Sequence, residues 1–344
     1  MELTNTNQHS PAEQPSCINC GAAEVIPGYT HALCGNCRTA FIRYPIPNKI
    51  KLFAAGIAVV LVFAMLSVPK QISTGIHLKR AIAAEKERRF ATAEKELHQV
   101  LEYQPDYTEA LAHLMIASYH NQNLAQLYKT NQIIGGRTMD NTELVEEINL
   151  LTQKTGDNMP PETMDALYAT WGTTDKIPDS SLVRYLAEYP KQTFALMLYS
   201  QRLLKQNRYK SCDSLLQIAA TVAKDINQIN ILRIGAKRGI RQFDSALYYC
   251  DQLLYQNSEN YYALAGKARA LLQRGDLREG MELAQKTCKQ FPNDGYCIAT
   301  MALAWHANHQ PAKRDALVNQ LLRDSTTSDY AQYVTDVINH KEQF

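Results

Sequence analysis

The chain runs to 344 residues and balances 36 Lys and Arg against 34 Asp and Glu, a net charge of +2. That length suits two or three domains, and the charge balance excludes the basic stripe of a nucleic-acid binder. Mean hydropathy is −0.33, so most of the chain is soluble, and only 15 Gly and 13 Pro favour long helices over a strand-rich fold.

Residues 1–16 read as a disordered tail. The first motif follows in 17-CINCGAAEVIPGYTHALCGNC-37, which holds two Cys-x-x-Cys pairs, Cys17/Cys20 and Cys34/Cys37. Each pair sets two sulfurs on one tight turn, and two turns supply the four thiolates that Zn²⁺ prefers. The Pro27-Gly28 step between them suits a small hairpin. A redox dithiol would need a single pair on a βαβ unit, and none surrounds it; a pair of disulfides is the other alternative. The stretch resembles bacterial zinc ribbons over residues 17–37, which implies one structural Zn²⁺ in a closed four-cysteine shell, within a ribbon spanning 17–44. His31 is a possible substitute ligand, although four cysteines already fill the shell.

Next comes 52-LFAAGIAVVLVFAMLSV-68, without a charge. At 1.5 Å per residue this run reaches about 25 Å, near the lower limit for a bilayer core. It predicts a transmembrane helix over 50–70, with Lys49, Lys51 and Lys70 at its ends. A buried core helix would carry a polar face, and a cleaved signal peptide would not start past residue 50. Arg38, Arg43, Lys49 and Lys51 precede the run within 15 residues, against Lys70, Lys79 and Arg80 after it. That bias, with the preference of thiolates for a reducing compartment, sets the N-terminus in the cytoplasm and the rest on the outer or periplasmic side of an inner membrane.

From residue 74 the chain reads as helix after helix. The segment 89-RFATAEKELHQVLEYQPDY-107 puts an aromatic at Phe90, a small residue at Ala93 and a helix-ending Pro105. Phe90 and Leu124 lie 34 residues apart, and Tyr209, Phe243, Leu277 and Pro311 follow one another at the same interval. Small residues recur nine positions earlier at Ala81, Ser200, Ala268 and Ala302, and three positions later at Ala93, Cys212, Ala246 and Gly280. This pattern resembles the tetratricopeptide repeat (TPR). The resemblance implies a mainly α fold, an α/α superhelix, with TPR-like repeats over 74–135, an irregular helical segment over 140–190 broken by WGTTDKIPDSS, repeats over 191–324 and a capping helix over 327–344. Pro311 and Arg314 depart from the aromatic and small slots of the last repeat.

No catalytic set is present in the sequence: no His-Glu-x-x-His, no Gly-x-Ser-x-Gly and no phosphate-cradling loop. His306 and His309 in WHANH lack a carboxylate or cysteine neighbour to complete a metal site. Residues 1–37 contain no Lys or Arg, against nucleic-acid binding by the head. The resemblance therefore implies a membrane-anchored, non-enzymatic scaffold with a protein or peptide partner in the solenoid groove. The alternative is a degenerate enzyme or accessory subunit with chemistry in 140–190. Mapped through the repeat frame, the groove falls on Lys205, Arg238, Tyr262, Arg269, Tyr296 and His306. Such a set suits an acidic or C-terminal peptide, although it departs from the Lys/Asn clamp of carboxylate-binding TPR proteins; the other reading is ordinary solvated positions. Cys288 and Cys297 flank one predicted turn and are expected as free thiols, or as a disulfide if the domain is exported.

Overall fold

The structure, a computed structural model, describes residues 15–42, 47–156, 159–223 and 226–339, the side chains at 42 and 66–70 excepted. Nearly all of the expected tail, the end of the expected ribbon at 43–44 and the last residues of the expected cap at 340–344 thus lie outside the described residues. The chain divides into two compact units, Met1–Pro69 and Lys70–Phe344.

In the first unit the expected hairpin exists only as two backbone hydrogen bonds. Ile18 N–H donates to the Ala32 carbonyl at 2.9 Å and Ile26 N–H to that of Leu33 at 3.1 Å. No strand forms among the described residues. The second cysteine pair instead opens a helix, α1 (Gly35–Ile42). Helix α2 (Asn48–Lys86) follows. Its segment Asn48–Met65 is long and apolar enough to cross a bilayer, and none of it is buried.

The second unit is an α/α superhelix of TPR type. The last turns of α2 pair with α3 (Phe90–Tyr103). Then come α4 (Thr108–His120), α5 (Leu124–Ile134) and α6 (Thr142–Gly156). Two short helices, α7 (Asp165–Trp171) and α8 (Asp179–Glu188), lead into four regular pairs. These are α9 (Thr193–Lys205) with α10 (Tyr209–Val222), and α11 (Asn227–Gly239) with α12 (Phe243–Gln256). They continue in α13 (Tyr261–Arg274) with α14 (Leu277–Gln290), and α15 (Gly295–Ala307) with α16 (Pro311–Leu322). Helix α17 (Ser328–Ile338) ends the chain.

All six frame residues, Phe90, Leu124, Tyr209, Phe243, Leu277 and Pro311, are the first residue of a second helix. Two positions before each, the backbone turns left-handed: Arg88, Gln122, Asn207, Arg241, Gly275 and His309 have φ of 57°, 60°, 59°, 62°, 106° and 56°. One position before each, the amide closes a six-residue loop onto the helix just ended: Arg89 to Ala84, Asn123 to Ser118, Arg208 to Leu203, Gln242 to Lys237, Asp276 to Leu271 and Gln310 to Trp305, at 2.8–3.0 Å. This is the Schellman helix stop, which satisfies carbonyls that a terminating helix leaves open. The small residues then let the paired helices meet: Ala81, Ala93, Ser200, Cys212, Ala246, Ala268 and Ala302 are fully buried.

First helices α9, α11, α13, α15 and α17 each pack on the next, whereas the second helices do not pack on one another to a comparable extent. The first helices therefore line the inner face. Between the two runs of repeats the 34-residue register lapses. Gly172, at φ 80°, ends α7. Met164, Ile177, Leu182, Tyr185 and Ala195 form a small separate core. Arg202 of α9 pins this stretch by donating to the Thr174 and Ile177 carbonyls and, at 3.0 Å, to Asp179 Oδ1.

His120 ends α4 inside the core. Its ring stacks on Phe90 at 4.1 Å between centroids, and its Nδ1 has no hydrogen-bond partner. Burial, with the Lys154 charge adding to it, lowers its pKa to about 4. The folded protein thus resists a proton that the unfolded chain accepts near pH 6.5, so stability is full above that pH and falls as the pH drops toward 4. The expected loss is about 2 kcal/mol by pH 5. His120→Phe should flatten urea-midpoint profiles between pH 7 and 5, and an unchanged slope would refute this assignment.

The turns make a second test. A non-glycine residue in the left-handed region costs about 1 kcal/mol. His309→Gly is expected to hold or raise the denaturation midpoint, and Gly275→Ala to lower stability by about 1 kcal/mol. The opposite order would show that side-chain contacts, not backbone conformation, govern these turns.

Candidate functional sites

In the head, the four sulfurs of Cys17, Cys20, Cys34 and Cys37 lie within 4.8 Å of one another. A tetrahedron with bonds of about 2.3 Å to Zn²⁺ has sulfur–sulfur edges of about 3.8 Å, and the Cys20–Cys34 pair stands at 3.5 Å. Local structure produces this convergence. The first pair sits on a turn closed by Gly21 N–H to the Cys17 carbonyl at 2.9 Å. The second straddles the start of α1, where Cys37 N–H donates to Cys34 Sγ at 3.4 Å. Asn19 Nδ2 donates to Cys37 Sγ at 3.3 Å.

Backbone hydrogen bonding at Cys34, then at Asn19 and Cys20, lowers the Cys17 pKa to about 6. At Cys20 the Ala22 amide acts in the same direction, but crowding by the Cys37, Cys34 and Cys17 sulfurs outweighs it and raises the thiol to about 12. Four sulfurs this close cannot all ionise without a cation among them, and a divalent soft metal supplies that charge. The donor set therefore fits Zn²⁺. His31 is outside the cluster; it offers its carbonyl to Arg38 Nη2 at 3.3 Å.

The second site is the inner face of the later repeats. Tyr262 of α13, Tyr296 of α15 and Tyr330 of α17 occupy the same register 34 residues apart and form a ladder, with ring centroids 5.7 and 6.3 Å apart. Tyr261 lies beside Tyr262 at 4.1 Å. Burial raises the pKa of Tyr262, and that of Tyr330 to about 12, so both phenols stay protonated donors at neutral pH.

Arg269 projects from α13 beside this ladder and is only 3% exposed. Its guanidinium lies 4.1 Å from the centroid of Tyr296 and 5.3 Å from that of Tyr333. It donates through Nε to Thr300 Oγ1 at 2.8 Å and through Nη2 to the Tyr296 carbonyl at 3.3 Å. Arg238 of α11, 7% exposed, donates through Nε to Gln273 Oε1 at 2.7 Å. Neither arginine forms an ion pair among the described residues.

Of the six groove positions expected from the repeat frame, Tyr262, Tyr296 and Arg269 come together. Arg238 stands one helix away. Lys205 is exposed near the end of α9. His306 turns toward the second helix of its pair, where its Nδ1 meets Arg314 Nη1 at 3.3 Å. Sequence reasoning passed over Tyr330, Tyr333, Thr300 and Gln273. The 34-residue spacing from Tyr296 to Tyr330 was the available signal.

All eight cysteines are unbonded. Burial raises the thiols of Cys212 and Cys250 to about 12, and those of Cys288 and Cys297 also upward. They are protonated and poorly nucleophilic at neutral pH.

No family model and no curated protein matches the chain. Among solved structures, a tetratricopeptide repeat protein from Parabacteroides merdae is similar at 12% identity over 76% of this chain and 97% of its own, with a TM-score of 0.41. PilW, a type IV pilus biogenesis factor, is similar at 12% over 76% and 98%, TM-score 0.34. Pseudomonas aeruginosa pilF is similar at 11% over 78% and 98%, TM-score 0.31.

Elemental analysis of the purified full chain is expected to find about one zinc per chain. Cys17→Ser should lose it, and chelation should unfold the head, because metal binding supplies most of the folding free energy of so small a module. The melt of the helical repeats should not change. A metal-free wild type that melts like the variant would remove the site.

Proposed function

We propose that this protein is a membrane-anchored TPR scaffold that holds a protein or peptide partner against the inner face of its later repeats, with a structural zinc head. The observation that carries the reading is the pair of buried arginines. A buried guanidinium commonly faces a carboxylate; Arg269 has two tyrosine faces, a hydroxyl and a carbonyl, and Arg238 has one amide oxygen. These partners satisfy hydrogen bonding without neutralising charge. The two guanidinium charges therefore stay available on the inner face beside protonated tyrosines, on which the Asp294 carboxylate also acts, and they suit a peptide with acidic side chains or a free C-terminus.

Anchoring rests on the exposed apolar segment Asn48–Met65 and the cationic residues before it. In this reading the head is cytoplasmic and the repeats stand across the membrane. The domain division follows: tail, zinc module, membrane helix, two runs of repeats around an irregular segment, and a closing helix.

The test uses a photocrosslinking amino acid at Tyr262 or Tyr296 of the full chain in its native membrane, with Tyr248, exposed on α12, as control. Positions 262 and 296 are expected to yield a discrete adduct that Arg238→Gln weakens by about tenfold, and position 248 none. Labelling at position 248 equal to that at 262 and 296, or an adduct indifferent to Arg238→Gln, would end the groove reading. Reporter fusions at each end decide the orientation separately.

A further inference from the structure

Among the described residues, the hydrogen bonds between the first two repeats and the later ones converge on segment 255–259, the end of α12 and the turn after it. Ser258 N–H donates to the Arg88 carbonyl at 2.9 Å. Asn257, 1% exposed, donates through Nδ2 to the His120 carbonyl at 3.1 Å and to Asn121 Oδ1 at 2.9 Å. Arg88 Nη1 donates to the Tyr255 carbonyl at 2.7 Å, and its guanidinium lies 4.3 Å from the centroid of that ring. Glu259 accepts from both the backbone N–H and the hydroxyl of Thr92 at 2.7 Å each.

The Glu259 contact is a helix cap supplied from 167 residues away. Thr92 is the third residue of α3, and its amide is one of the donors that a helix N-terminus leaves open. Arg89, at the capping position, makes no side-chain cap. The carboxylate of Glu259 takes that role, aided by the positive end of the helix dipole and by Arg89 Nε at 3.7 Å. The left-handed residue Arg88 presents the carbonyl and guanidinium that the loop grips.

The apolar cores stop short of this contact. One cluster is confined to residues 78–151. The clusters of the irregular segment and the later repeats contain none of those residues. The join is made of amides, a carboxylate and a cation over an aromatic face, groups that water can solvate when the join parts. A cleft of about 700 Å³ beside it is lined by Glu94, His98, Asn121, Glu259, Tyr261 and Phe291, from both sides.

We infer that segment 255–259 is a releasable clasp that holds the first two repeats closed against the later ones, so that the superhelix opens by parting polar contacts while each apolar core stays intact. A partner that needs the cleft, or the start of α3, has to displace the protein's own Glu259. The inference is independent of what the inner face binds.

Hydrogen exchange of the full chain, read by mass spectrometry, tests it. In Glu259→Ala the amides of 88–94 are expected to exchange about tenfold faster or more, the effect of losing a hydrogen bond to a charged acceptor, while those of 110–119 inside α4 keep the wild-type rate. Arg88→Gly separates opening from misfolding. Glycine suits the left-handed position, so stability should hold or rise, yet exchange at 88–94 and 255–259 should quicken because the grip on Tyr255 is gone. Unchanged exchange at 88–94 in both variants would overturn the clasp. So would equal acceleration through α4, which would mean that the contact is part of one cooperative core.

Discussion

One backbone hydrogen bond recurs in every repeat and sets the geometry of the whole array. An amide one position before each second helix reaches back over a left-handed residue to a carbonyl of the first helix. Because the stop is closed by main-chain atoms, each turn has the same length and hand. Constant turns hold the helices of successive pairs in phase, and constant phase brings Tyr262, Tyr296 and Tyr330 into one ladder. The left-handed position itself is usually glycine's. Here five of the six are Arg, Gln, Asn or His, so the array tolerates a local strain of about 1 kcal/mol per turn, offset by burial of the small residues where paired helices touch.

That regularity made the repeats legible in the sequence. Phe90, Tyr209 and Phe243 announced themselves by spacing, and each begins a helix at the register expected of it. The convergence of the four cysteines was equally legible, because paired cysteines reveal themselves through local spacing alone. The local fold around them was less so: the second cysteine pair suggested a tight turn, yet residues 35–42 form a helix whose first turn presents Cys37. His306 occupies a groove register, but it sits in the last turn of its helix, where Arg314 of the neighbouring helix draws it away. The clasp was invisible. Contacts between Thr92 and Glu259 bridge 167 residues and repeat nowhere, and a single long-range pairing leaves no periodic trace.

The two kinds of buried charge explain why the inner face differs from the rest of the molecule. Lys237 and Asp213 pair at 2.8 Å between α11 and α10, each about 12% and 11% exposed, and cancel. Arg238, the next residue, lies on the other side of the same helix end and meets only Gln273. Arg269 lies between tyrosine rings, whose negative faces offset part of the cost of removing a cation from water. Pairing these arginines internally would have neutralised the face. Neutral partners instead position the guanidinium groups and leave their charge to act on whatever approaches the inner surface.

Polar joins and apolar cores divide the molecule in the same way along its length. Within each run of repeats, alanines and leucines bury against neighbours, and such contacts are lost or kept together. Between the first two repeats and the later ones, segment 255–259 grips α3 through amides and a carboxylate, whereas the irregular segment joins α9 both through Arg202 and through the apolar core that Ala195 shares. Hydrogen bonds of this kind exchange readily with water, so their net contribution is about 1 kcal/mol each, rising to 3 where a charge is involved. The blocks are therefore held in a defined arrangement by contacts weak enough to change singly, while each block resists unfolding on its own apolar core. The ladder of tyrosines lies wholly inside one block, so its shape does not depend on the polar join.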